Sequence, residues 1–359
     1  MRSLVVVLSV LSLAAPAAAG TSIPPLPPRQ PTVAYVTQTA TSPALVWAKT
    51  IGGEATKLGP GSQPLIAPSG QQVAASLSGT GEPEKGPALA IYWTEPGRPP
   101  LTYLDRSKAS VYPLAWSRDL RYVAVAVSSA SATGSNSGSG LAIVDISLDK
   151  VTLIAHGAIY GASFAPSGPD RVVYGRAGSE SPFAPVNLYT SNPDGSETRA
   201  ITRNGRSLFP VWGSRSIAYD RERLRGEDAP QYQIWLHSPT GSGARRLTNV
   251  PAGPLVSGLV PIAFAGQRLL AEFVGEDTSE AWTVRLPSGR ARRVTVGGNR
   301  SVQGAGISGD GSTLLVDVGS FEQPASGGSV DTLPFAGGAP TVVVAHAGEA
   351  SWGGAGTDH

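Results

Sequence analysis

Seven times along this chain a large apolar residue stands just before a tight turn, and the seven are almost evenly spaced. They are Ile66, Trp116, Phe164, Trp212, Phe264, Ile307 and Trp352. The turns that follow include Pro68-Ser69-Gly70, Ser117-Arg118-Asp119, Pro166-Ser167-Gly168 and Gly309-Asp310-Gly311. Successive anchors lie about 43 to 52 residues apart, the length of one four-stranded propeller blade. A unit of that size cannot bury both faces of its sheet alone, so each copy must be covered by its neighbours. The period therefore constrains the whole chain and not only one segment.

Within each period the same series recurs. After the turn comes a short apolar strand, such as Tyr122 to Val127, Ile217 to Tyr219 or Leu314 to Val318. A third follows a loop, as at Leu141 to Asp145 and Gln233-Ile234-Trp235, and a Gly/Pro turn leads to a fourth, typified by Arg245-Arg246-Leu247-Thr248. With 44 Gly and 31 Pro and hardly any helix-forming stretch after residue 30, the chain reads as all-β. The ends complete the series. Thr32 to Val36, Leu45-Val46-Trp47 and Ala55 to Leu58 read as second, third and fourth strands without a first, and Ala350-Ser351-Trp352 supplies it. The expectation is a single propeller domain over residues 32 to 359, seven-bladed, closed by N- and C-terminal strands sharing one blade, which removes an exposed sheet edge. A six-bladed ring with residues 32 to 59 as an outlying hairpin is the alternative.

The segment Leu188-Tyr189-Thr190-Ser191-Asn192-Pro193-Asp194-Gly195, continuing to Ile201-Thr202, resembles the third-to-fourth-strand half of a TolB-type repeat, the WD40-like PD40 unit. Ile234-Trp235 running on to Arg246-Leu247-Thr248 is similar, and Pro113 to Asp119 and Phe209-Pro210-Val211-Trp212 resemble the repeat's first strand and turn. The resemblance covers nearly the whole chain after the leader and implies a propeller. Such repeats occur in translocation-associated periplasmic proteins, in lid domains of prolyl-oligopeptidase-like hydrolases and in other exported proteins. The α/β domain that precedes the propeller in TolB is not expected here, nor is a C-terminal hydrolase domain.

Arg2, the uncharged run Leu4 to Leu13 and Ala17-Ala18-Ala19-Gly20 have the layout of a secretory signal, so residues 1 to 19 are expected to be cleaved and residues 20 to 31 to form a Pro-rich tether. The run is too short to span a bilayer, and the mature chain is expected to be exported without a transmembrane segment. The absence of cysteine excludes disulfides, thiolate metal sites and a lipoprotein anchor. A formal charge of +2 with no clustered Lys/Arg block argues against nucleic acid as a partner. A monomer is expected.

No Gly-x-Ser-x-Gly elbow, His-Glu-x-x-His helix, phosphate-binding loop or EF-hand loop occurs, and neither a cofactor nor a metal is expected. Gly309-Asp310-Gly311-Ser312 falls where every period has its first-to-second-strand turn and is read as a turn. The second-to-third loops are long, including Gly79 to Pro87, Ser128 to Gly140, Ala177 to Val186 and Arg221 to Gln231. They open on the same propeller face as the fourth-to-first connections, and binding residues concentrate on loops held by a rigid frame. Those connections carry Arg106, Lys108, His156, Arg203, Arg206, Arg300 and His346. This basic set is the candidate site for a protein segment or an anionic small molecule, with no catalytic residue assigned. A propeller enzyme of lactonase or lyase type, acting at the channel mouth, is the competing reading.

Overall fold

The computed structural model describes residues 31–39, 42–77, 86–105, 109–129, 139–179, 184–225, 228–240, 243–251, 257–275, 279–297, 300–319 and 328–353. These residues form 28 strands, numbered in chain order, in four sheets of four strands and one of twelve, the last made of three antiparallel groups of four joined by short parallel pairings; each antiparallel group of four is called a set below. Set one combines both ends of the described chain, in the order β28 (Gly348–Gly353), β1 (Thr32–Thr39), β2 (Ser42–Thr50) and β3 (Ala55–Pro60). Set two is β4 (Ser62–Ile66), β5 (Gln72–Ser76), β6 (Pro87–Trp93) and β7 (Leu101–Asp105). Set three is β8 (Ala109–Trp116), β9 (Tyr122–Ser129), β10 (Gly140–Asp145) and β11 (Lys150–His156). Set four is β12 (Ile159–Phe164), β13 (Val172–Ala177), β14 (Val186–Ser191) and β15 (Arg199–Ala200). Set five is β16 (Ser207–Trp212), β17 (Ile217–Arg225), β18 (Asp228–His237) and β19 (Ala244–Arg246). Set six is β20 (Ser257–Ala265), β21 (Arg268–Gly275), β22 (Ser279–Arg285) and β23 (Arg290–Arg293). Set seven is β24 (Ser301–Ile307), β25 (Thr313–Gly319), β26 (Ser329–Pro334) and β27 (Thr341–Ala345).

The first strands pack on one another in succession. β4 meets β8, β8 meets β12, and so on through β16, β20 and β24 to β28, which also packs on β4. The second strands are apolar on both faces because each lies between two neighbouring sets; all of Gln72 to Ser76 is buried. Core clusters are accordingly shared between sets. Trp116 and Val123 pack with Ala74 and Leu89, and Val33, Tyr35 and Leu315 form another. β28 is held by more than its pairing with β1, in which Val33 lies opposite Trp352. Ser351 Oγ accepts the Ile66 N–H at 2.8 Å, and the Ala350 N–H donates to Asp317 Oδ2 at 3.1 Å.

In all seven sets the register between first and second strands slips once, two to four residues before the anchor. Counting three residues back from each anchor gives Glu349, Gln63, Pro113, Gly161, Phe209, Pro261 and Gly304. Four of these have left-handed backbone: Glu349 (φ 51°), Gln63 (φ 50°), Gly161 (φ 76°) and Phe209 (φ 45°). A bulge of this kind bends a strand and re-aims its side chains.

The expected turn at Gly309-Asp310-Gly311 is a turn: Asp310 Oδ1 accepts the Ser308 hydroxyl at 2.6 Å and the Ser312 N–H at 2.9 Å. The stretch Arg221 to Gln231, expected as a loop, is mostly paired strand, with Arg221 opposite Gln233 and Glu222 opposite Tyr232. Arg221 covers the Trp235 ring at 4.5 Å.

Candidate functional site

One end of the molecule gathers the second-to-third and fourth-to-first connections. The Gly61 N–H donates to Ala44 O, that of Gly157 to Ser139 O, that of Val186 to Gly205 O and that of His346 to Gly328 O, at 2.7 to 3.0 Å. Gln231 and Ser257, and Glu280 and Val302, pair in parallel at the same level. This end carries the described members of the basic set. Arg203 and Arg206 lie on the connection from β15 to β16, and Arg300 just before β24. His156 ends β11, and His346 follows β27 with φ 55°. All five side chains are exposed. Arg106 and Lys108 lie outside the described residues.

An asparagine turn fixes the pair nearest β16. Asn204 Oδ1 accepts the Arg206 N–H at 2.8 Å and the Ser207 hydroxyl at 2.9 Å, while the Gly205 N–H donates to Asn187 Oδ1 at 2.9 Å. Arg203, Arg206 and Arg300 form no ion pair among the described residues. His156 and His346 belong to different sets and do not meet.

Beside these connections the first strands present aromatic side chains. Tyr112 on β8 is 41% exposed and Phe209 on β16 is 39% exposed. Phe209 meets Tyr160 of β12 edge to face, with ring centroids 6.1 Å apart. Gly161 makes room for this contact, since a Cβ there would lie 3.1 Å from Phe209 Cα. Glu349 is exposed at the same level and its Oε2 accepts the Gln63 N–H at 2.6 Å. The end is therefore mixed, with arginines on the connections and aromatics and one carboxylate on the strands.

Deeper, the second strands of sets five, six and seven each carry a carboxyl group that the sequence reading passed over, fully buried at Asp220 and half-buried at Glu272 and Asp317. Asp220 is fully buried, and burial pushes it up to about 8. Burial and nearby Asp317 raise Glu272 to about 7; the Ser279 hydroxyl donates to its Oε1. Burial also raises Asp317 to about 6. Asp331 is buried with Oδ1 unpartnered. A signal was present: Asp220, Glu272 and Asp317 each stand three residues after the first buried residue of the strand, Ile217, Leu269 and Leu314. Raised carboxyls can mark acid–base chemistry, yet Asp220 has no surface through which a substrate could reach it. Among the described residues no cluster is placed to hold a metal ion, and no helix is long and apolar enough to cross a membrane.

No family model matches this chain, and no curated protein matches it. Solved structures do. A puromycin hydrolase complexed with PGG aligns over 88% of this chain and 52% of its own, with TM-score 0.62 and 15% identity. The β-propeller domain of the Trilobed protease from Pyrococcus furiosus aligns over 84% and 89%, with TM-score 0.61 and 11% identity. TolB from Acinetobacter baumannii aligns over 89% and 82%, with TM-score 0.50 and 14% identity. The chain spans about half the length of the prolyl endopeptidase and the puromycin hydrolase it matches. The Pyrococcus propeller has an open velcro topology, whereas here β28 pairs with β1. At these identities the likeness is one of fold: the chain has an all-β propeller architecture similar to that of TolB.

Proposed function

We propose that this chain is an exported, non-catalytic seven-bladed propeller, closed where β28 joins β1, that binds an extended protein segment bearing acidic and apolar side chains at the long-loop end. In this reading residues 1 to 19 are the export signal and residues 20 to 31 the tether. The observation that carries it is Phe209. A bulky residue held left-handed at φ 45° costs about 1–2 kcal/mol, and here that conformation leaves its ring partly in solvent, against Tyr160 and beside the Arg203–Arg206 turn. Exposed aromatics next to unpaired arginines have the composition of protein-interface hot spots. An anionic small molecule is the narrower variant of the same reading, using the arginines alone.

A displayed library of acidic peptides, with and without aromatic residues, panned on the purified protein tests this. Enriched peptides should lose at least about tenfold in affinity with Phe209→Ala and with Arg203→Ala/Arg206→Ala, at unchanged melting temperature. Equal binding by the parent and both variants would overturn the reading.

A further inference from the structure

At the opposite end of the molecule, where the short turns lie, set three shows how the corner between two sets can be filled. Arg121, on the turn from β8 to β9, grips Asp145 at the end of β10 through Nε (3.0 Å) and Nη2 (2.7 Å). The guanidinium lies over the Tyr122 ring at 4.8 Å, and Tyr122 stacks on Phe164, the anchor of set four, with centroids 6.4 Å apart. Arginine, carboxylate, aromatic ring and neighbouring anchor form one continuous plug.

Set five keeps half of this plug and lacks the other half. Its equivalent residues follow from pairing. The Ser117 N–H donates to Tyr122 O at 2.9 Å and the Gly213 N–H to Ser216 O at 2.8 Å, so Ser216 stands where Tyr122 does and Arg215 where Arg121 does. Asp145 pairs with Tyr122, and Ile217 pairs with His237, so Ser238 takes the place of Asp145. The arginine remains, and so does the neighbouring anchor, here Phe264. The carboxylate has become Ser238 and the aromatic ring Ser216. A cavity of about 570 Å3 opens at the corner, lined by Arg215, Arg245, Leu236, His237 and Phe264 among others. Neither Arg215 nor Arg245 forms an ion pair among the described residues. His237 is buried and its Nδ1 lies 2.8 Å from Ser238 O, leaving Nε2 as the ring nitrogen not so engaged. In set six the corresponding corner is occupied by the chain itself: Arg268 donates to Gly311 O at 2.6 Å and covers the Phe335 ring at 5.3 Å.

We propose that the short-turn corner between sets five and six binds a small aromatic carboxylate, whose carboxylate pairs with Arg215 as Asp145 pairs with Arg121 and whose ring packs on Phe264 as Tyr122 packs on Phe164. The volume suits such a ligand, since small-molecule sites run from about 300 to 1,000 Å3. The Arg fork matches a carboxylate bidentately, and an offset ring contact adds to the apolar area buried against Leu236. This site is independent of the peptide-binding reading, which concerns the other end of the molecule.

Titration calorimetry with 4-hydroxyphenylacetate and indole-3-acetate, and with their primary amides as neutral controls, tests the site. At least one acid should bind saturably and at least about tenfold tighter than its amide. Arg215→Ala should remove that preference while leaving the amide's affinity in place. Ser216→Tyr, which restores the set-three plug, should abolish binding of both without lowering the melting temperature. The proposal is overturned if neither acid binds saturably at millimolar concentration, or if binding survives Arg215→Ala unchanged.

Discussion

Asp220 keeps its proton across a pH range in which an ordinary aspartate has lost it. Its side chain is fully buried, and removing a charged carboxylate from water is costly. The consequence for stability runs opposite to acid denaturation. Below about pH 4 both folded and unfolded chains hold the proton. Above that the unfolded chain releases it while the folded one retains it up to about pH 8. Stability therefore falls as pH rises through that window. Glu272 and Asp317 act in the same direction over narrower windows, up to about 7 and about 6. Urea unfolding at pH 5, 6, 7 and 8 should thus show stability falling as pH rises, and Asp220→Asn should flatten the decline; an unchanged slope in the variant would rule Asp220 out as its source. The reverse case is Asp310, held at about 2 by hydrogen bonds from Ser308 and Ser312. Its contribution is present above about pH 4 and is lost as pH falls through about 2. Both environments were partly legible in the sequence. Asp310 sits in a recognisable turn, but Asp220 reads as one polar residue in an apolar strand, and only alignment against Glu272 and Asp317 shows that the position recurs.

Strands and turns were the most legible elements, because anchors such as Trp116 and Trp212 and the Gly-bearing turns after them depend on local chemistry. The bulge was not legible. It depends on register between two strands, and residues as unlike as Glu349, Leu114 and Gly161 occupy it. The charged run from Arg221 to Arg225 misled for a related reason: charge does not tell a paired strand from a loop, and Arg221 and Glu222 are paired with Gln233 and Tyr232. The bulge predicts a contrast between two glycines of set four. Gly161→Ala meets both a left-handed backbone and Phe209 Cα at 3.1 Å, so it should destabilise by about 2 kcal/mol or more. Gly168→Ala, in the following turn with φ 78° and open space around it, should lose only the backbone preference, about 1 kcal/mol. Equal losses in chemical denaturation would mean that the first strands relax freely at the bulge.

For the whole molecule, the period of about 48 residues announced repeated four-stranded units, while the ligand stayed hidden because binding residues lie on connections that do not repeat. The pairing of β28 with β1 makes the last described strand a partner of sets one, two and seven, through Val33, Ile66 and Asp317. Deleting residues 349 to 359 should lower the melting temperature by more than 10 °C, roughly the effect of losing several kcal/mol; a truncated chain melting with the parent would show that the fold does not depend on this strand. The same pairing also sets an order of events in time. Sets two to seven can each assemble from neighbouring sequence as the chain is made, but Val33 must wait for Trp352, nearly the whole chain later. Contacts so distant in sequence form late and slowly, so β1, among the first strands synthesised, is among the last to be covered. Throughout that interval its edge is open to other chains, which makes the first set the segment most in need of a holding chaperone before the molecule is complete.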